Sequence, residues 1–362
     1  MAVGPEQERD VLGTRIEASH RLAARADARL TGAIADIFLP DDARLDERTR
    51  LALRRVLDGV IAAIEAEIRR HAARILSGRG AADHADQLLN AQATVAGRLT
   101  QAGVLRDRLL IDELLSQVRC DLIAERLSPT EATPDQASLL VRLTDVDDGV
   151  VAAAARALLS AETRRRAAAE QGGVPGGILP AERHHQLVWW VAAAIRDGLG
   201  TGDGLADRAI IEAAQRNLAA HDEGQRPEAA AVRLAAAIDA RPHEIGDLLV
   251  ETLGDRRLLL FIAVLARAVD LDFEAARTIV LEPEGDRLWL ALRVAEIDRQ
   301  TIARIALMLS DADPRRDIEA FADDLDAIVA VPAEGARAAL APLSLHHDMR
   351  LALAALARGE AR

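Results

Sequence analysis

The sequence predicts an all-α fold, in which a layer of long helices is followed by a stack of shorter helix pairs. Three observations point there. Half of the 362 residues are hydrophobic, yet only 2% are aromatic and there is no Tyr. A core of Leu, Val, Ile and Ala suits close helix packing, whereas β-rich folds draw on more aromatic and β-branched residues. Apolar residues recur at helical spacing along most of the chain. A third signal is an internal repeat of about 30 residues, the length of a helix-pair unit. Punctuation by Pro and Gly divides the chain into a long-helix bundle over 1–128, connecting helices over 129–172 and a helical-repeat region over 173–362.

In the first segment a helix is expected around Arg15–Phe38, ending before Pro40. Asp46 then caps a long helix reaching about Leu76. Its apolar stripe is Leu53, Val56, Leu57, Val60, Ile61, Ile64, Ile68 and Ile75, and its charged back is Arg50, Arg54, Arg55, Asp58, Glu65 and Arg69. At 1.5 Å per residue it is roughly 45 Å long. The width of the stripe allows either an intrachain bundle or a homodimer. Two more helices are expected over Ala82–Gln101 and Leu105–Leu127.

Ser128-Pro129 and Thr133-Pro134 open the connecting segment. Thr133 and Gln136 make a capping-box pattern with Pro134 at the first helical position. Helices continue to about Glu170. Gln171–Pro180 then holds four Gly and two Pro, the clearest loop in the chain, with 173–180 as a hinge or a plain crossover. Its glycines are not a phosphate-cradling motif, because no strand precedes them and no Lys-Ser/Thr follows.

A helix is expected over Ala181–Gly198, with its core face set by Leu187, Val191, Ala194 and Ile195. Trp190 lies at the edge of that face. Trp189 falls opposite, amid Glu182, His185, Gln186 and Arg196. It either packs on the adjacent helix pair or, with Arg196, contacts a partner protein. The repeat follows. One copy starts at Gly254-Asp255-Arg256, the other at Gly285-Asp286-Arg287. Each gives an apolar helix and then an Asp (Asp272, Asp298) that caps a second helix. The second copy is shorter in its first helix and turn. Asp313-Pro314 is expected to start the next helix as cap and first residue.

The stretches Ile34–Arg70, Gln186–Leu199 and Leu259–Ile297 together resemble an uncharacterised bacterial family common in alphaproteobacteria, described as a domain of unknown function with HEAT-like helical character. The likeness spans about residues 30 to 350. The resemblance implies an all-helical, repeat-like fold, which together with the long N-terminal helices gives a bundle or hairpin layer followed by HEAT-like α-solenoid helix pairs. It implies no catalytic residue and no substrate.

Charge and chemistry exclude several classes. The formal net charge is −13, against the basic surface that nucleic acid requires, and all 45 basic residues are Arg. The longest strongly apolar run, Leu258–Ala266, is nine residues where a membrane helix needs about 20, so no membrane insertion is expected. The single Cys120 rules out an intrachain disulfide and fits a reducing cytoplasm. His184-His185 and His346-His347 are adjacent pairs, which diverge on a helix instead of converging on a metal ion. Asp145, Asp147, Asp148, Asp323 and Asp324 read as caps and polar faces, not as a catalytic pair. No cofactor is expected and no enzyme is read.

One motif stands apart. His347-Asp348-Met349-Arg350 resembles the phosphoacceptor box of sensor histidine kinases, although Ala352 stands where a Pro is usual. Ser344 would cap this helix, Leu345, Met349, Leu353 and Leu356 would form its buried stripe, and His347 would face away. The leading expectation is a non-enzymatic cytoplasmic scaffold or adaptor with an unknown protein partner. The alternative is a two-component phosphotransfer or decoy protein using His347.

Overall fold

The structure, a computed structural model, describes residues 37–39, 44–90, 94–129, 137–170, 173, 177–199, 204–346, 348–350, 352–353 and 356. It is all-α: every element is helical, with no strand among the described residues. No helix there is long and apolar enough to cross a membrane. The chain divides into two compact units, 1–50 and 51–362. In the first, the Asp46 carboxylate accepts from the Thr49 N–H at 2.9 Å and the Thr49 hydroxyl at 2.6 Å. This is the expected cap of α1 (Glu47–Gly78). The helix expected around Arg15–Phe38 and the Thr133–Gln136 box fall largely or wholly outside the described residues.

The second unit contains the rest. α1 is followed by α2 (Ala82–Asn90) and α3 (Val95–Gln101), a pair where one helix was expected. α4 (Arg108–Arg126) starts at Asp107, whose carboxylate accepts from Leu110 N–H at 2.8 Å. α5 (Leu139–Thr144) and α6 (Gly149–Glu170) complete the middle of the chain, with Asp148 capping α6. α7 (Ala181–Gly198) matches its expected bounds and pairs with α8 (Gly204–Ala220). Then come α9 (Pro227–Ile238), α10 (Pro242–Gly254), α11 (Leu258–Ala268), α12 (Phe273–Leu281), α13 (Asp286–Val294), α14 (Arg299–Ala312), α15 (Ile318–Ala330) and α16 (Ala333–Leu340).

The two Gly-Asp-Arg stretches do not occupy equivalent positions in the structure. Gly254 closes α10, whereas Gly285 is the left-handed residue before α13. The equivalent positions lie in the turns after α11 and α13. Asp270 and Glu296 both have left-handed φ, 55° and 56°. The next residues, Leu271 and Ile297, each donate an N–H five residues back, to Ala266 and Leu292, at 3.0 Å. This is the Schellman closure, with its apolar residue in place. Asp272 and Asp298 follow and cap α12 and α14 through Ala275 and Thr301 N–H. Each of these pairs stands 26 positions apart, and the two turns are equal in length. A third left-handed residue, Arg256, precedes α11 in the same closure. The Asp313-Pro314 expectation fails. Asp313 ends α14 and is buried against Arg315, and the cap of α15 is Asp317, which accepts from Glu319 and Ala320 N–H at 3.0 Å.

Two hydrophobic cores result. One joins the stripe of α1 (Leu57, Val60, Ile61, Ile64, Ile68 and Leu76) to α2, α3, the first half of α4, Leu179, α7 and α8. The other joins the second half of α4 to α5, α6 and α9–α16. The α1 stripe is thus covered from within the chain. Arg69, expected on its charged back, is buried, with Nε on Glu65 and Nη1 on the Leu88 carbonyl. A one-dimensional stack would join each helix pair only to its neighbours. Here α4 also packs on α11, α12 and α14, and α10 packs on α14.

Candidate functional site

The residues singled out by sequence sit as follows. Trp189 and Trp190 are both half-buried against the core that α7 shares with α1. The Trp189 indole N–H donates to His185 Nε2 at 3.2 Å, one helical turn back. Arg196 is exposed and donates from Nε to Asp207 Oδ1 at 3.1 Å, tying α7 to α8. His347 lies outside the described residues. Its neighbour His346 is exposed. The Ser344 hydroxyl donates to the Ala341 carbonyl at 2.8 Å, and its expected capping partner, the N–H of His347, lies outside the described residues.

The stripe expected to be buried is turned outward. Leu345, Met349, Leu353 and Leu356 are 40%, 54%, 46% and 66% exposed. Arg350 faces the body instead. It donates to the Leu343 carbonyl at 2.8 Å and sits 3.8 Å from the Asp272 carboxylate, the cap of α12.

A histidine pair that adjacency in sequence concealed lies elsewhere. His184, on α7, stacks on His221, just after α8, with ring centroids 4.0 Å apart and planes 10° from parallel. Asn217 donates from Nδ2 to Glu67 Oε2 at 2.7 Å, so its Oδ1 is the acceptor facing His184 Nε2 at 3.0 Å. His184 therefore carries its proton on Nε2. Burial, then the neighbouring His221, lowers its pKa to about 4. Burial lowers His221 as well. A cavity of about 430 Å³ adjoins the pair, lined also by Ile64, Glu67, Arg164 and Gln225.

The most elaborate polar feature is a buried ladder of alternating charge. It starts at Glu113 on α4. Glu113 accepts from Arg226 Nη2 at 2.5 Å, Arg277 Nη2 at 2.7 Å and Gln117 Nε2 at 2.7 Å. Arg226 continues to Glu228 at 3.5 Å, Glu228 to Arg165 at 3.4 Å and Arg165 to Asp121 at 2.7 Å. Burial pushes the Glu113 pKa up, but Arg277 and Arg226 outweigh it and hold the carboxyl below its usual range. At the other end burial wins. It raises Asp121, whose Arg165 is shared with Glu228.

The ladder's end opens on a cavity of about 630 Å³ between α4, α6 and the start of α11. Cys120 lines it as a buried free thiol, pushed up to about 12 by burial, which makes it a poor nucleophile. No group of three or more His, Cys, Asp or Glu is placed to hold a metal ion among the described residues. Neither the ladder nor the histidine pair was legible beforehand, since their members stand tens of residues apart in sequence. No protein-family model, no curated protein and no solved structure matches the chain.

Proposed function

We propose that the protein is a non-enzymatic cytoplasmic helical adaptor that docks a partner protein on the stripe Leu345, Met349, Leu353 and Leu356. The observation that carries this reading is the inversion at that segment, in which Arg350 is held against Asp272 and the apolar side chains face out. Single exposed apolar residues are ordinary, but four at i, i+4, i+8 and i+11 are the anchor pattern of a helix that fits a partner's groove. The all-α fold supports the same reading. So does the inert, buried Cys120.

A photo-crosslinking residue at position 353, compared with one at the isolated exposed Leu307, tests it in the native cell. The expected result is an adduct of one defined mass from 353 alone, lost when Met349→Asp is added. That substitution should change stability by less than about 0.5 kcal/mol, as exposed positions usually do. An adduct of twice the chain mass would make the partner a second copy. Equal labelling from 353 and 307, or none from 353, rejects the docking face.

A further inference from the structure

The cavity between α4, α6 and α11 carries unspent hydrogen-bonding capacity of both kinds. Gln117 is 2% exposed and lines it. The Gln117 Nε2 is fully used, on Glu113 and on the Ile178 carbonyl at 2.8 Å, which fixes the amide's orientation. Its Oε1 is buried and accepts from nothing. Such an atom costs about 1–3 kcal/mol unless something donates to it.

Donors face the same space. Asp255 through Leu259, the entry to α11, line the cavity. The α11 N-cap is Arg257, with no side-chain capping bond, where α4, α12, α14 and α15 have a capping Asp. The first-turn N–H groups of this eleven-residue helix are thus left without a side-chain acceptor. Arg166 and Arg256 line the cavity and make no ion pair within 4 Å among the described residues, though Arg166 lies near enough to Glu162 to lower its pKa, and Arg257 Nε is buried without a hydrogen-bond partner. Four acids line it too, and each is engaged. Asp121 holds Arg165, Glu162 holds Arg257, Asp255 accepts from Leu139 N–H, and Glu125 has an interaction of its own. Of the four arginines in the lining, Arg166 and Arg256 are the two held by no ion pair within 4 Å among the described residues. Val118, Ala124 and Leu259 supply apolar wall.

We propose that this cavity binds a small organic phosphate, its phosphate on Arg166, Arg256 and the first turn of α11, its body donating an N–H or O–H to Gln117. An uncapped helix N-terminus beside arginines is the usual protein setting for phosphate. A volume of about 630 Å³ is in the range of sites for small molecules and exceeds what an inorganic ion fills. The inference is independent of the docking face at 345–356.

Titration calorimetry on the full chain tests it with three probes: inorganic phosphate, AMP and succinate. Inorganic phosphate should bind weakly, and AMP, which adds an N–H donor and a body, at least tenfold more tightly. Arg166→Gln with Arg256→Gly should weaken AMP at least tenfold. Arg166 is exposed, and Arg256 has a left-handed φ of 59° that Gly adopts freely, so both changes leave the fold intact. A thermal melt of the double variant checks this. Absence of AMP binding at millimolar concentration overturns the proposal. So does affinity unchanged in the folded double variant, or succinate binding as well as AMP.

Discussion

At the scale of the residue, buried charge is the structure's costliest investment. Glu113 neutralises two arginines from distant parts of the chain. Glu113→Ala leaves Arg226 and Arg277 facing one another in the interior. Breaking a buried pair typically costs about 3–5 kcal/mol. Arg277 keeps Glu274 at 3.0 Å and Arg226 keeps Glu223 at 3.4 Å, which places the expected loss near the lower end. Urea denaturation measures it, and a loss under about 1 kcal/mol would show the ladder to be dispensable. The stacked histidines give a second prediction, in pH. The His184 pKa is about 4 in the folded chain against 6.5 for a free histidine. Between those values the unfolded chain takes up a proton that the folded chain refuses, so stability falls as pH falls from about 6.5 to about 4. Above that window the effect is absent. In His184→Gln the slope there should be shallower; an unchanged slope assigns the acid sensitivity to other groups. None of this could be read from the sequence. It marks His184 beside His185, whereas the partner that matters, His221, is brought over by the packing of α7 on α8.

At the scale of the element, local chemistry was legible and direction was not. Asp46, Asp272 and Asp298 were identified as caps because capping is settled within four residues. Asp313 was misread because Asp-Pro also opens a turn, and the stop and restart come later, at Asp317. The stripe at 345–356 was recognised as amphipathic, but periodicity cannot say which face meets the body. Here Arg350 decides, through Asp272. The repeated turns give an element-scale prediction. Asp270 and Glu296 hold left-handed φ without being Gly, a conformation that costs an L-residue about 1–2 kcal/mol. Asp270→Gly and Glu296→Gly should each raise stability, by about 0.5–1 kcal/mol after the added entropy of Gly in the unfolded chain. Gly285 is the converse case. Its φ is 79°, and an added Cβ would lie 2.8 Å from the Trp289 ring. That ring is packed on Phe321 at 4.6 Å and has little room to yield. Gly285→Ala should therefore destabilise by more than the 1–2 kcal/mol of the backbone alone. Thermal melts of the three variants should order them on opposite sides of the parent, and a neutral Gly285→Ala would mean that the Trp289 indole gives way.

At the scale of the whole molecule, the two cores do not follow chain order. α7 and α8 bury their apolar faces with α1–α4, and the chain then returns to build the second core around the far half of α4. That interleaving follows from pairing between distant helices, which composition and loop signals do not report. It leads to a prediction about fragments. The loop at 171–180 has the clearest sequence signature of a boundary, and a fragment over 177–362 is the natural repeat region to express. In that fragment Leu187, Val188, Val191 and Ile195, all essentially buried in the full chain, would lose the α1, α3 and α4 surfaces that cover them. Four such side chains represent roughly 6–12 kcal/mol of burial, comparable with the 5–15 kcal/mol that stabilises a typical domain. The loss of α4 also removes Cys120, Ile123 and Leu127 from the second core and the Glu113 counter-ion from Arg226 and Arg277. Residues 177–362 alone should keep helical far-ultraviolet dichroism but lack a cooperative thermal transition. Adding the separately expressed 1–170 should restore one, because the missing surfaces are then supplied in trans. A sharp transition in 177–362 by itself would show that the repeat region carries a sufficient core of its own.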